Sequence, residues 1–190
     1  SLLLKNFNTY GKNSSTYDEE NDHEIFGTAL IKTQYPLKKE LENSTNFLKP
    51  IIQARYSPTN GKDISSNNFL MDYGAIFSTN RIGRSHMVEN GRSLTLGIEF
   101  EKQDLSNNKI LGLNLGNVIK DKKNDNLPSK SKLDQTRSDI VGNAFYKFNE
   151  NLEINYNFSY DRDLDYSNYD SVSADLNINN FVTKFDYITE

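Results

Sequence analysis

Apolar and polar residues alternate without a fault from Leu152 to Asp161. Leu152, Ile154, Tyr156, Phe158 and Tyr160 fall on one parity, and Glu153, Asn155, Asn157, Ser159 and Asp161 on the other. Strand side chains alternate between faces, so this segment has one apolar and one polar face; a helix would scatter the same residues round its axis. A strand of roughly ten residues, tilted, can also cross a bilayer.

The same period recurs along the chain. Strands are expected at Leu2–Tyr10, His23–Tyr35, Phe47–Ser57, Phe69–Asn80, Arg92–Lys102, Lys109–Val118, Thr136–Phe148, Leu152–Asp161, Tyr169–Ile178 and Phe181–Ile188. In Phe69–Asn80 the apolar parity is Phe69, Met71, Tyr73, Ala75 and Phe77. In Arg92–Lys102, Leu94, Leu96, Ile98 and Phe100 stand against Thr95, Gly97, Glu99 and Glu101. In Thr136–Phe148, Ile140, Gly142 and Ala144 oppose Asp139 and Asn143. In Tyr169–Ile178, Val172, Ala174 and Leu176 oppose Ser173 and Asp175. Pro50 suggests an edge or the start of a strand. The charged stretch 37–46 admits a short helical turn at Leu37–Leu41. Pro58-Thr59-Asn60-Gly61 signals a turn, as does Asn179-Asn180, since Asn tolerates positive φ. The stretch 119–135, charged and broken by Pro128, predicts a mobile loop.

Hairpin-length connections without helical patterns between them predict an all-β, antiparallel up-and-down meander of about ten strands. From Arg92 onward the connections alternate short and long. Tight turns at one rim and large loops at the other are expected of an outer-membrane barrel, whose tight turns are periplasmic.

Composition fits a sheet that is apolar on one face and wet on the other. Only 35% of the 190 residues are hydrophobic, yet there are 11 Tyr and 11 Phe. Cys is absent, which removes disulfide frameworks and thiolate metal sites. A net charge of -4 gives no nucleic-acid footprint. No run of apolar residues is long enough for a transmembrane helix. The chain opens at Ser1-Leu2-Leu3-Leu4 and closes at Phe181–Glu190 within apparent strands, which suggests an interior piece of a longer protein. Such a piece would carry open, aggregation-prone edges and is not expected to fold stably alone.

A soluble sandwich or meander and a membrane barrel share this period. The length of the strands, polar faces dense in Asn, Asp, Glu and Ser, and Tyr and Phe near strand ends favour the membrane. On that reading Leu94, Leu96, Ile98, Ile154, Tyr156, Phe158 and Leu176 face lipid. Asp139, Asn143, Glu153, Asn155, Asn157 and Asp175 then face the lumen, where they hydrate it or touch a plug protein or passing sugar.

Candidate chemistry is thin. His86 with Glu89 is half a metal site at most. Asp161-Arg162-Asp163 with Asp165 lacks the Gly and closing Glu of an EF-hand. No Gly-x-Ser-x-Gly turn supports a hydrolase. Gly83 and Gly91 suit turns better than phosphate cradles. Lys120, Lys122 and Lys123, interleaved with Asp121 and Asp125, suit a solvated loop. The chain is expected to be no enzyme and to need no cofactor and no metal.

Several motifs occur in a particular order: Leu48-Lys49-Pro50-Ile51 with Tyr56-Ser57-Pro58; Asn80-Arg81-Ile82-Gly83-Arg84 with Gly91-Arg92; Leu127-Pro128; Ser138-Asp139-Ile140-Val141-Gly142; and Leu152 through Tyr156 to Asp161. Together they resemble the middle of the lipopolysaccharide-assembly family LptD (organic solvent tolerance protein) over roughly residues 23–178. Arg84-Ser85-His86 departs from the Asp-Arg pair many members carry there. Asn80, Arg81, Gly83 and Gly91 are the positions of the family's loop motif. The resemblance implies that residues 1–190 are part of an LptD-type domain, an arc of a large transmembrane β-barrel in the bacterial outer membrane, without its N-terminal jellyroll. It implies an LptE-type plug lipoprotein, lipopolysaccharide and an LptA-type periplasmic bridge as partners, with outer-membrane lipid around the wall. The barrel would receive lipopolysaccharide from the bridge and release it to the outer leaflet through a gate beyond this segment. The alternatives are a soluble β-sheet interaction or carbohydrate-binding module, or another porin- or receptor-type barrel.

Overall fold

A computed structural model of the chain describes residues 1–10, 12, 22–58, 63–66, 68–83 and 88–189. The strands are β1 (Leu2–Thr9), β2 (Asp22–Gln34), β3 (Leu37–Leu41), β4 (Ser44–Ser57), β5 (Gly91–Gln103), β6 (Lys109–Lys120), β7 (Ile140–Lys147), β8 (Leu152–Tyr160), β9 (Ser167–Ile178) and β10 (Phe181–Thr189). They form one 10-stranded antiparallel sheet in the order β1-β2-β4-β5-β6-β7-β8-β9-β10, with β3 also on β4. The sheet is open, with β1 and β10 at its ends. No helix among the described residues is long and apolar enough to cross a membrane.

The up-and-down order puts the connections 10–21, 58–90, 121–139 and 161–166 at one rim, and 42–43, 104–108, 148–151 and 179–180 at the other. The short turns are built by side chains that cap their own backbone. Asp104 Oδ1 accepts from Ser106 N and Asn108 N, each at 2.8 Å. Asn149 Oδ1 accepts from Asn151 N and Leu152 N at 2.8 and 3.0 Å. Asn179 takes φ 52° in the turn between β9 and β10, as its small polar side chain permits.

Five expectations are corrected. Leu37–Leu41 is a strand, β3, hairpinned onto β4 rather than a helical turn. Pro50 is not on an edge, because β4 has neighbours on both sides. It sits where β2 ends and β3 begins, opposite the Tyr35–Pro36 break, and its carbonyl accepts from Tyr35 N at 3.1 Å. A residue's N–H and C=O point to the same side of a strand, so the missing proline N–H falls at that break and interrupts no ladder.

Phe69–Asn80 is not a strand. It crosses the sheet as an irregular segment with a 3-10 turn at Ala75–Phe77. Its apolar residues alternate because they dock on the sheet, not because they pair with it. The stretch 119–135 is not a loop free of the sheet. Its first residues extend β6 to Lys120, and Leu127, Pro128, Ser131 and Leu133 are buried. The expected start of β7 at Thr136 moves to Ile140, with Arg137 making only an isolated bridge to Ile119. The Thr59–Gly61 part of the expected turn and the Arg84–His86 departure lie outside the described residues.

The two loops form a second layer on one face of the sheet. Its core joins Ile64, Met71, Tyr73, Ile76 and Ile82 of the first loop to Leu127 and Leu133 of the second, over Val118 and Val141 of the sheet. The loops are stitched together by Ile64 N to Asn126 O at 2.8 Å and Met71 N to Ser131 Oγ at 2.8 Å. Gly97 and Gly116 make room for the layer. They are register partners on β5 and β6, and a Cβ on either would strike Phe77 or Ile76, respectively.

Candidate functional site

The layered face carries a cluster of buried charge near the long-loop rim. Arg55 comes from β4 and Lys120 from β6, while Arg81 and Glu89 come from the loop between β4 and β5. All four side chains are at most 3% exposed, so their charges act with little screening. Glu89 Oε2 lies 3.2 Å from Arg81 Nε and 3.8 Å from Arg55 Nη1, and Oε1 lies 3.6 Å from Lys120 Nζ. The cations are also tied to the loops by direct hydrogen bonds. Arg55 donates to Thr79 O at 3.1 Å and to Glu89 O at 2.8 Å, Lys120 to Leu133 O at 2.6 Å, and Arg81 to Ser93 Oγ. Burial alone would raise the Glu89 carboxyl, but Arg81, Arg55 and Lys120 together hold it below the ordinary carboxylate range. The arrangement pins both loops to the sheet, the first through Glu89 and its arginines and the second through Lys120 and Leu133. Glu89 is therefore a structural counter-ion here; His86, named with it in the sequence, lies outside the described residues. Lys120 belongs to this cluster and not to a solvated run.

A second polar node joins β7, β8 and β9. Asp139 is fully buried, and its Oδ2 accepts from Ser159 Oγ at 3.2 Å and Asn168 Nδ2 at 2.7 Å. Burial raises its carboxyl above the ordinary range, against the pull of those two hydrogen bonds. Further toward the short-turn rim the layered face is wetter. Tyr73 reaches from the loop to Glu99 Oε1 at 3.0 Å, Glu99 pairs with Lys49, and Asn114 Nδ2 donates to Asn143 Oδ1 at 2.8 Å.

Register places the predicted site residues on two faces. Asn143, Glu153, Asn155, Asn157 and Asp175 share the layered face, with Asp139 at its rim. Glu153 accepts from Asn155 at 3.1 Å, and Asn157 is exposed. Leu94, Leu96, Ile98, Ile154, Tyr156, Phe158 and Leu176 share the opposite face. There Leu94, Leu96 and Ile98 are exposed at 37–38% although they sit mid-sheet. Tyr156 and Phe158 stack with ring centroids 5.2 Å apart. Of the loop-motif positions, Arg81 is wholly buried, Asn80 is half-buried, and Gly83 and Gly91 take φ 70° and 94°. The periodicity missed Arg55, Glu89 and Lys120 as a unit. Only a charged residue on the polar parity of two strands, each leading into a long loop, hinted at it.

A family model described as LptD, LPS transport system D, matches residues 2–190. The chain belongs to the LptD family. LptD proteins serve lipopolysaccharide transport and assembly at the outer membrane of Gram-negative bacteria; the family is one of transport proteins, not enzymes. Lipopolysaccharide and the Lpt machinery are thus its general partners, and the all-β meander agrees with a β-type membrane protein. No curated protein matches the sequence.

Proposed function

We propose that this sheet is an arc of the LptD barrel wall, with the exposed apolar face against outer-membrane lipid and the loop layer inside the lumen. The carrying observation is the inversion of burial. Leu94, Leu96 and Ile98 are exposed, while Arg55, Thr95, Lys120 and Asp139 are buried beneath the loops. A soluble sheet hides its apolar face; a barrel wall leaves it to lipid and turns its polar face inward. The short connections 104–108, 148–151 and 179–180 would then be periplasmic.

In this reading the barrel accepts lipopolysaccharide from an LptA-type bridge through an N-terminal jellyroll and releases it to the outer leaflet. An LptE-type lipoprotein would meet the polar face at Asn143, Glu153, Asn155, Asn157 and Asp175, below the loop layer. Nitroxide labels placed singly in the full-length protein in bilayers test the wall. Labels at Leu96, Ile98 and Ile154 should relax with dissolved oxygen, and labels at Asn143 and Asn157 with a polar nickel chelate. Equal accessibility on both faces would overturn the assignment and return the sheet to a soluble interaction module.

A further inference from the structure

The outer face is not uniformly ridged. Near the long-loop rim it holds a concavity of about 570 Å³. Its floor is Ala29 and Ala54, which lie diagonally across the β2–β4 pair because Ala29 faces Tyr56 and Ala54 faces Ile31. Two methyl side chains among Ile31, Tyr56, Leu94 and Ile119 leave a groove with apolar walls. Directly above it a second, polar concavity of about 470 Å³ shares Tyr56, Arg92 and Asp121 and adds Lys122 and Lys123. The Arg92 guanidinium lies over the Tyr56 ring, 5.5 Å from its centroid, at the boundary between the two. Along this edge Arg92, Lys122 and Lys123 stand against Asp121, a net positive rim above an apolar slot.

We propose that this groove binds a lipid with a phosphate-bearing head group, its acyl chain over Ala29 and Ala54 and its phosphate at Arg92, Lys122 and Lys123. The proposal rests on the apolar face being the lipid face. An acyl chain is the occupant that gains from an apolar slot on a lipid-facing surface, and a phosphate is the head group that complements a cationic rim. Arg is suited to it because its planar fork binds phosphate bidentately, while the Tyr56 ring holds the guanidinium in place. The site lies at the long-loop end of β4, β5 and β6, where the outer leaflet would meet the wall.

The experiment uses the full-length protein in nanodiscs, with lipid A as the probe, dephosphorylated lipid A as the control and retained lipid counted by native mass spectrometry. Wild type should retain lipid A over the dephosphorylated form. Arg92→Glu should abolish that preference, and Ala54→Phe, which fills the slot, should lower retention of both forms by about threefold or more. Wild-type retention in both variants would overturn the groove. A nitroxide at Ile98, distant from the groove, separates the two readings. If it relaxes with oxygen while retention is unchanged, the wall stands and the groove alone is wrong. If it relaxes with the nickel chelate, the wall itself is wrong.

Discussion

Glu89 is the one carboxylate shared by Arg55, Arg81 and Lys120, so removing its charge leaves three cations facing one another in a dry space. Breaking a buried ion pair from one side typically costs about 3–5 kcal/mol, and Glu89→Gln is expected to fall in that range in denaturant unfolding. Its carboxyl is held low, so its contribution is complete above the unfolded value of about 4.3 and is lost as pH falls through the lower folded value. Wild type should lose more stability across that acid window than Glu89→Gln does. Asp139 has the opposite sign. Its folded value is raised, so its contribution is full below about pH 3.9 and is lost as pH rises through the folded value. The stability difference between wild type and Asp139→Asn should therefore drift in favour of the variant over that rise, which melting at a series of pH values measures. Neither role was legible from residue type. Glu89 sits in a loop with no period, and its partners lie 8 to 34 residues away.

At the scale of elements, the periods of β5, β6, β8 and β9 foretold strands because each has one face with nothing apolar to cover it. The same period misled at Phe69–Asn80, where Met71, Tyr73 and Ile76 pack downward onto the sheet from an irregular backbone. Alternation reports which side chains are covered, and a segment lying on a sheet can mimic one lying in it. Leu37–Leu41 failed for the opposite reason: Lys38, Lys39 and Glu40 run together between its two leucines, so it has no period to reveal it. The glycine pair under the 3-10 turn is a test of the layered contact. A Cβ at Gly116 would lie 2.9 Å from the carbonyl oxygen of Leu96, which is backbone and cannot swing aside. Gly116→Ala should cost about 1–3 kcal/mol. Gly97→Ala meets chiefly the ring of Phe77, which can turn, so its loss should be the smaller of the two in the same melt.

For the molecule as a whole, the sorting of residues into two faces was legible from parity alone, while the depth of the polar face was not. Parity gave no sign that two loops fold back over part of the polar face. If the outer face meets lipid, an arginine there costs roughly 2–4 kcal/mol at mid-bilayer. Ile98→Arg should therefore block appearance of the heat-modifiable outer-membrane form, whereas Asn157→Lys, exposed on the other face, should assemble normally; equal behaviour would sink the face assignment. Tyr156 and Asn155 offer a second pair with the same expected contrast.

The socket made by Gly97 and Gly116 also bears on the order of events during assembly. Both glycines belong to one hairpin, closed by the turn at 104–108. Such a hairpin forms locally and early, on a scale of about 1–10 μs. The seat for Ile76 and Phe77 is complete within that one hairpin, and the segment that fills it precedes the hairpin in the chain. The covering layer can travel with the piece of sheet that holds it, instead of being fitted onto a finished one.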